Sequence, residues 1–210
     1  MRSLPIWRRR EAVLSEIDGK ERDYRIGNAP FRARPLEPAL YIVATPIGNL
    51  GDMTIRGIET LAAADIVACE DTRVSRVLLD RYGISRRPHA YHEHNAATAG
   101  PKLIEALLAG KSVALVSDAG TPLVSDPGGR LVPEAKAAGI RVVPIPGASA
   151  VLAALTASGL LKDSFHFAGF LSSRQGQRRA KLEQLKSLDA ALVFFESPNR
   201  AATTLADMVE

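Results

Sequence analysis

Val113-Ala114-Leu115-Val116-Ser117-Asp118-Ala119-Gly120-Thr121-Pro122-Leu123-Val124-Ser125-Asp126-Pro127-Gly128-Gly129 decides the fold. Four consecutive apolar residues without polar alternation are the pattern of a parallel strand buried on both faces. The Gly, Pro, Asp and Ser that follow mark a sharp loop at its carboxyl end, and Arg130 to Ala138 reads as a helix. In open α/β sheets ligands bind beyond the carboxyl ends of the strands, which makes this loop a candidate binding site. Its Asp, Thr and Ser suit a plain strand-to-helix connection equally well, since they also cap backbone groups.

The same unit repeats on either side. Ala39 to Ala44 reads as a strand followed by a helix over Thr54 to Ala63, and Asp65 to Cys69 as a strand followed by a helix over Thr72 to Tyr82. A weak strand at His89 to Tyr91 precedes a helix from Thr98 to Ala109, and Arg141 to Ile145 is a fifth strand with a helix running to about Ser158. This alternation predicts an α/β fold with a mostly parallel sheet and helices on both faces. Gly and polar residues interrupt it near Ser158 to Lys162, giving a first domain over 39–158 and a second over 159–210. The second, with strands at Phe165 to Phe170 and Ala191 to Phe195 and a helix over Gln177 to Leu188, is expected to be an incomplete α/β unit at Glu210. Residues 1–38 contain Pro30, Pro35 and Pro38 and no apolar period; they read as a basic extension, disordered or with one short helix at Arg9 to Ile17.

At 46% hydrophobic and 24% charged, the 210 residues have ordinary globular composition. Of the net charge of +4, the extension carries +3, which leaves a nearly neutral body and argues against a uniformly basic nucleic-acid binder. A basic stretch from Arg174 to Lys186 reads as a solvated helix face. The single cysteine, Cys69, excludes an internal disulfide and a cysteine metal cluster. No apolar run reaches the roughly 18 residues of a membrane span, and the first ten residues lack the core of a secretory signal, so a cytoplasmic protein is expected.

The strand ends hold the candidate chemistry. The first runs into Thr45-Pro46-Ile47-Gly48-Asn49, where a dinucleotide site would want G-x-G-x-x-G; Pro46 removes a donor that a phosphate would need, so a ligand of lower charge fits better. The second ends in Glu70-Asp71-Thr72-Arg73, a carboxylate pair and an arginine in which Asp71 is also a natural helix cap. The third leads into His92-Glu93-His94-Asn95; His-x-His suggests a metal, yet third and fourth ligands have no obvious source, and polar recognition or a general base suits these residues as well. Gly147 after the fifth strand permits close approach of a ligand, and Glu196-Ser197-Pro198 closes the last strand with a cap. One sheet edge thus gathers several polar motifs, which marks it as a site.

In this order, Val43 to Asp52, Glu70 to Arg73, Tyr91 to Asn95, Ser117 to Gly128, Pro144 to Ala150, Gly169 to Leu171 and Phe195 to Pro198 closely resemble the tetrapyrrole methylase superfamily of S-adenosylmethionine (SAM) enzymes. The resemblance covers Ala39 to Glu210 and is to the members that methylate small-subunit ribosomal RNA. It implies two α/β domains, the second with a mixed sheet, SAM between them, a homodimer, and 2′-O-methylation of a cytidine ribose in 16S rRNA, at C1402. Carried over by position, Thr45 and Pro46 would line one side of the SAM pocket. Asp118, Ala119, Gly120, Thr121 and Pro122 would form its floor, and Pro146, Gly147, Ser149 and Leu171 its far side. Asn199 stands where family members commonly have His, Arg174 where they often have Lys, and the family chain continues past the position of Glu210.

A ribose hydroxyl is a poor nucleophile at neutral pH, so a base should assist a methyl transfer that positioning alone already favours. The candidates are Glu70, Asp71 and His94, with Glu196 behind them; Arg73, Asn95, Arg174 and Arg200 are the candidates for holding RNA. No metal is required. A precorrin C-methyltransferase, a nicotinamide-dependent dehydrogenase and a non-catalytic RNA-binding protein are the competing readings.

Overall fold

The computed structural model describes residues 22–124, 129–160 and 163–209. Its centre is a five-stranded, wholly parallel sheet formed by β3 (Leu40–Val43), β4 (Ile66–Cys69), β5 (Pro88–Ala90), β6 (Val113–Val116) and β7 (Val142–Ile145), in the spatial order β5-β4-β6-β3-β7. Every residue of β3 and β6 is buried, as their unbroken apolar runs require of strands covered on both sides.

The helices divide cleanly. Ile58 and Leu61 of α1 (Ile55–Ala63) and Leu78 and Leu79 of α2 (Thr72–Arg81) pack with Val43, Val67 and Val116 on one face. Leu103 and Leu107 of α3 (Ala96–Leu108) and Leu131 and Ala135 of α4 (Leu131–Ala137) pack with Leu40, Leu115 and Ala68 on the other. Each helix follows a strand, and α5 (Ala150–Ser158) follows β7.

Within the segment read as an irregular extension, the structure has an antiparallel hairpin, β1 (Asp23–Ile26) and β2 (Ala29–Arg32). Tertiary contacts explain it. Tyr24 is buried against the first core and stacks on Phe31 at 5.4 Å, its hydroxyl donates to Glu59 of α1 at 3.1 Å, and the Arg25 amide donates to the Tyr82 carbonyl at 2.7 Å. Pro30 is accommodated because an edge strand has no further ladder to feed. The helix read at Arg9 to Ile17 lies outside the described residues.

Beyond α5, β8 (Phe165–Phe170) and β9 (Ala191–Phe195) pair in parallel, joined by α6 (Gln175–Leu185) and followed by α7 (Pro198–Val209). No antiparallel strand, which a mixed sheet would need, joins this pair among the described residues. Nor is the Arg174 to Lys186 stretch a simple solvated face. Arg178 is buried, its Nε donating to Asp207 of α7 at 2.7 Å, and Arg179 reaches the same carboxylate at 2.8 Å.

Candidate active site

Strand β6 sits where the chain changes direction. The connections from its neighbours β3 and β4 leave through α1 and α2 on one face, while that from β6 leaves through α4 on the other. The diverging loops open a crevice at the carboxyl end of β6, the place where ligands bind in such sheets. Ser117 and Asp118 occupy it. Ser125, Asp126, Pro127 and Gly128 of the same loop lie outside the described residues.

Two strand-end loops are stapled across this crevice. Thr45 and Gly120 exchange backbone hydrogen bonds at 2.8 and 3.1 Å, and the buried Thr45 hydroxyl donates to the Ser117 carbonyl at 3.0 Å. Gly120 is in the left-handed region at φ 85°, where a side chain would be strained. Leu123 takes a φ of 77° with a full side chain, and such strain is characteristic of functional loops. Pro122 is fully buried, Ala119 is exposed, and the Thr121 hydroxyl donates to the Ala148 carbonyl at 3.5 Å.

Two cavities meet at Asp118. One, of about 240 Å³, is largely apolar and is lined by Thr45, Pro46, Leu50, Val74, Leu78 and Ser117, among others. The other, about 440 Å³, is lined by Glu70, Asp71, Thr72, Ala90, His92 and His94. Asp118 borders both and accepts the Asp71 amide at 3.1 Å, which ties the ends of β4 and β6 together. The residues that sequence reasoning missed are Leu50, Val74, Ser75, Val77 and Leu78. Val74, Val77 and Leu78 have helical spacing that signals a shared face, but Val74 and Val77 stay 45% and 60% exposed beside the cavity.

Asp71 caps α2, accepting the Arg73 amide at 2.8 Å, and pairs with the Arg73 guanidinium at 2.6 Å. That guanidinium, and after it the amide, hold the Asp71 pKa down to about 2, which makes it a weak base. Arg73 itself remains exposed. His92 and His94 lie 6.0 Å apart edge to face, and His92 Nδ1 is buried without a hydrogen-bond partner among the described residues. Among the described residues no group of three or more His, Cys, Asp or Glu is placed to hold a metal ion. Asn95 shapes its own loop, its side chain accepting the His92 amide at 2.9 Å and donating to the Ala90 carbonyl at 3.0 Å.

In the loop after β7, a Cβ on Gly147 would lie 2.9 Å from that of Ala44, so this glycine lets two strand-end loops touch. Gly147→Val is expected to destabilise the fold by about 1–3 kcal/mol in urea unfolding. Ser149 caps α5, accepting the Leu152 amide at 3.4 Å, while Pro146 is exposed.

Glu196, Arg200, Arg174 and Leu171 line neither cavity. Arg200 pairs with Glu196 at 2.6 Å and donates to the carbonyl of the buried Leu171 at 3.3 Å. Burial alone would raise the Glu196 pKa, but the Thr204 hydroxyl, the Ser197 amide and Arg200 outweigh it and hold the carboxyl below its ordinary range. Arg174 is exposed ahead of α6.

A family model described as tetrapyrrole (corrin/porphyrin) methylases matches residues 39–210. The chain belongs to the tetrapyrrole methylase family. Solved structures similar to this chain include a diphthine synthase, at TM-score 0.63 and 22% identity over 81% of this chain and 72% of that one. A cobalt precorrin-4 methyltransferase matches at TM-score 0.59 and 17% identity over 82% and 74%. These likenesses establish the shared fold. In sequence, the chain is 72% identical over 185 residues to a "Ribosomal RNA small subunit methyltransferase I" of Mesorhizobium japonicum, covering 88% of this chain and 63% of that protein. Proteins of the same name from Vibrio cholerae and Bacillus subtilis are 49% and 47% identical, over 82% and 81% of this chain and 60% and 59% of theirs. The chain thus spans about three-fifths of the length of these curated relatives. No helix among the described residues is long and apolar enough to cross a membrane.

Proposed function

We propose that this methylase chain belongs to an enzyme that transfers a methyl group from SAM to the ribose 2′-hydroxyl of a cytidine in 16S rRNA of the small ribosomal subunit. The observation that carries this reading is the 72% identity, over 88% of the chain, to a protein named as an rRNA small subunit methyltransferase. A cytoplasmic homodimer is part of the same reading.

The residues present suit SAM. The smaller cavity offers apolar walls for a base, and Asp118 is an acceptor for ribose hydroxyls and a counter-charge for a sulfonium. No lysine or arginine lines it, in keeping with a ligand that carries no phosphate. When bound, SAM supplies an electrophilic methyl group. The chain's part is to place the acceptor hydroxyl in the neighbouring cavity and to take its proton. Glu70 and His94 line that cavity, whereas Asp71 is held ionised by Arg73 and orients it. The exposed Arg73 stands beside this wall, where a guanidinium would hold a phosphate of the strand.

Incubation with labelled SAM and either 30S subunits lacking the modification or a precorrin tests the reading. Label in 16S rRNA, mapped by primer extension to one cytidine ribose, is the expected result. Label in the precorrin alone would transfer the chain to the tetrapyrrole branch of its family.

A further inference from the structure

The opposite, amino-terminal edge of the sheet carries a polar cluster that methyl transfer does not use. Asp65 and Ser112 stand just before β4 and β6 and are knotted together. The Ser112 amide and hydroxyl donate to Asp65 Oδ2 at 2.9 and 2.8 Å, and the Asp65 amide donates to the Ser112 carbonyl at 3.1 Å. The other carboxylate oxygen, Oδ1, faces Arg22 Nη2 at 3.6 Å. Arg86, two residues before β5, donates its Nε to the Ala62 carbonyl at 3.1 Å. Arg22 thus pairs with Asp65, and the Arg86 guanidinium lies within electrostatic reach of both.

Several of the remaining donors of this pair have nothing to meet among the described residues. The Arg22 side chain is only 14% exposed, and its Nε and Nη1, together with Arg86 Nη2, are buried without a hydrogen-bond partner among those residues. Burial, and after it the Arg22 charge, push the Arg86 pKa below its ordinary value. A cavity of about 180 Å³ lies against them, lined by Arg22, Asp23, Ala62, Ile84, Ser85 and Arg86. That is the liquid volume of about six waters. Asp23, the carboxylate that lines the cavity, is exposed and faces Arg32 at 3.7 Å.

Buried N–H groups are almost always satisfied, and arginine does not escape the problem by losing its proton. A water would accept a hydrogen bond yet add no negative charge beside two guanidiniums that the single Asp65 carboxylate does not balance. A tetrahedral oxyanion does both jobs, because its several oxygens serve donors on two side chains while its charge separates them. We propose that Arg22 and Arg86 form a binding site for a phosphate-type oxyanion at the amino edge of the sheet, remote from the methyl-transfer crevice. Inorganic phosphate and a backbone phosphate of RNA present this chemistry alike.

Thermal unfolding of the 210-residue chain in sodium phosphate, against sodium chloride at matched ionic strength and pH, tests the site. The expected result is a melting temperature that rises saturably with phosphate alone, because a ligand bound only by the folded state stabilises it. In a ³¹P titration, Arg86→Met is expected to weaken phosphate binding roughly tenfold or more. Arg22→Gln, which leaves the Arg86–Ala62 hydrogen bond in place, should do the same and serves if the first variant folds poorly. With a short RNA oligonucleotide, displacement of phosphate and a salt slope reduced by about one in Arg86→Met identify RNA as the source. An oligonucleotide that leaves bound phosphate in place identifies free phosphate. Identical melting in the two salts, or a phosphate response undiminished in both variants, would overturn the proposal.

Discussion

Glu70→Gln is expected to lower single-turnover methyl transfer by about 10²- to 10⁴-fold while SAM affinity changes little, the range for loss of a positioned base. Glu70 directly follows β4 and borders the polar cavity, within the wall that Asp71 and Asp118 complete. Asp71→Asn should cost less, because its carboxylate is already occupied as cap and ion pair and, with a pKa of about 2, is a weak proton acceptor. His94→Asn supplies the control: an effect as large as that of Glu70→Gln would move the proton to the imidazole. If alanine at both Glu70 and Asp71 left the single-turnover rate intact, neither carboxylate would be the base.

Asp207→Ala is expected to produce the largest loss of stability, with the melting temperature falling by roughly 5–15 °C. Among the described residues, the substitution leaves Arg178, whose side chain is 4% exposed, with only the Ser172 and Ser173 carbonyls at 3.1 and 3.3 Å. A buried charge stripped of its partner is far more costly than the absence of the pair. The double variant Arg178→Met with Asp207→Leu should therefore recover most of the loss. The same carboxylate makes stability pH-dependent. The Gln175 amide, with Arg179 and Arg178, outweighs the effect of burial and holds the Asp207 pKa at about 2, against an ordinary 3.8. A carboxyl whose pKa is depressed by folding contributes fully above its unfolded pKa and loses that contribution as pH falls through the folded one. Stability of the parent protein should accordingly fall more steeply between about pH 4 and pH 2 than that of Asp207→Asn, by up to one proton in the slope.

Much of the candidate site was legible in sequence because its signals are local. A run such as Val113-Ala114-Leu115-Val116 followed by Gly, Pro and Asp marks a strand end whatever surrounds it, and Asp71 and Ser149 cap the helices they precede. The hairpin at Asp23–Arg32 was not legible. Its strands have no alternation, and what holds them is Tyr24 against Glu59 and the Arg25 amide against Tyr82, partners 35 and 57 residues away. The close packing at Gly147 was not legible for a related reason: its tight neighbour is Ala44, which only the β3–β7 pairing brings alongside.

By itself, then, the sequence determined the alternation of strands and helices, the loops that follow the strands, and the carboxylates and histidines those loops carry. The tertiary structure decided which loops became neighbours. The strand order places β6 between β3 and β4, so that Asp118 touches the Asp71 amide while Thr45 is stapled to Gly120. It also decided which charges would be buried, for Arg178 belongs to a stretch that reads as a solvated face until α7 covers it. The physical reason is range. Periodicity and capping act over a few residues, whereas the crevice at Asp118 and the arginine pair at the far edge exist only where segments 40 or more residues apart meet.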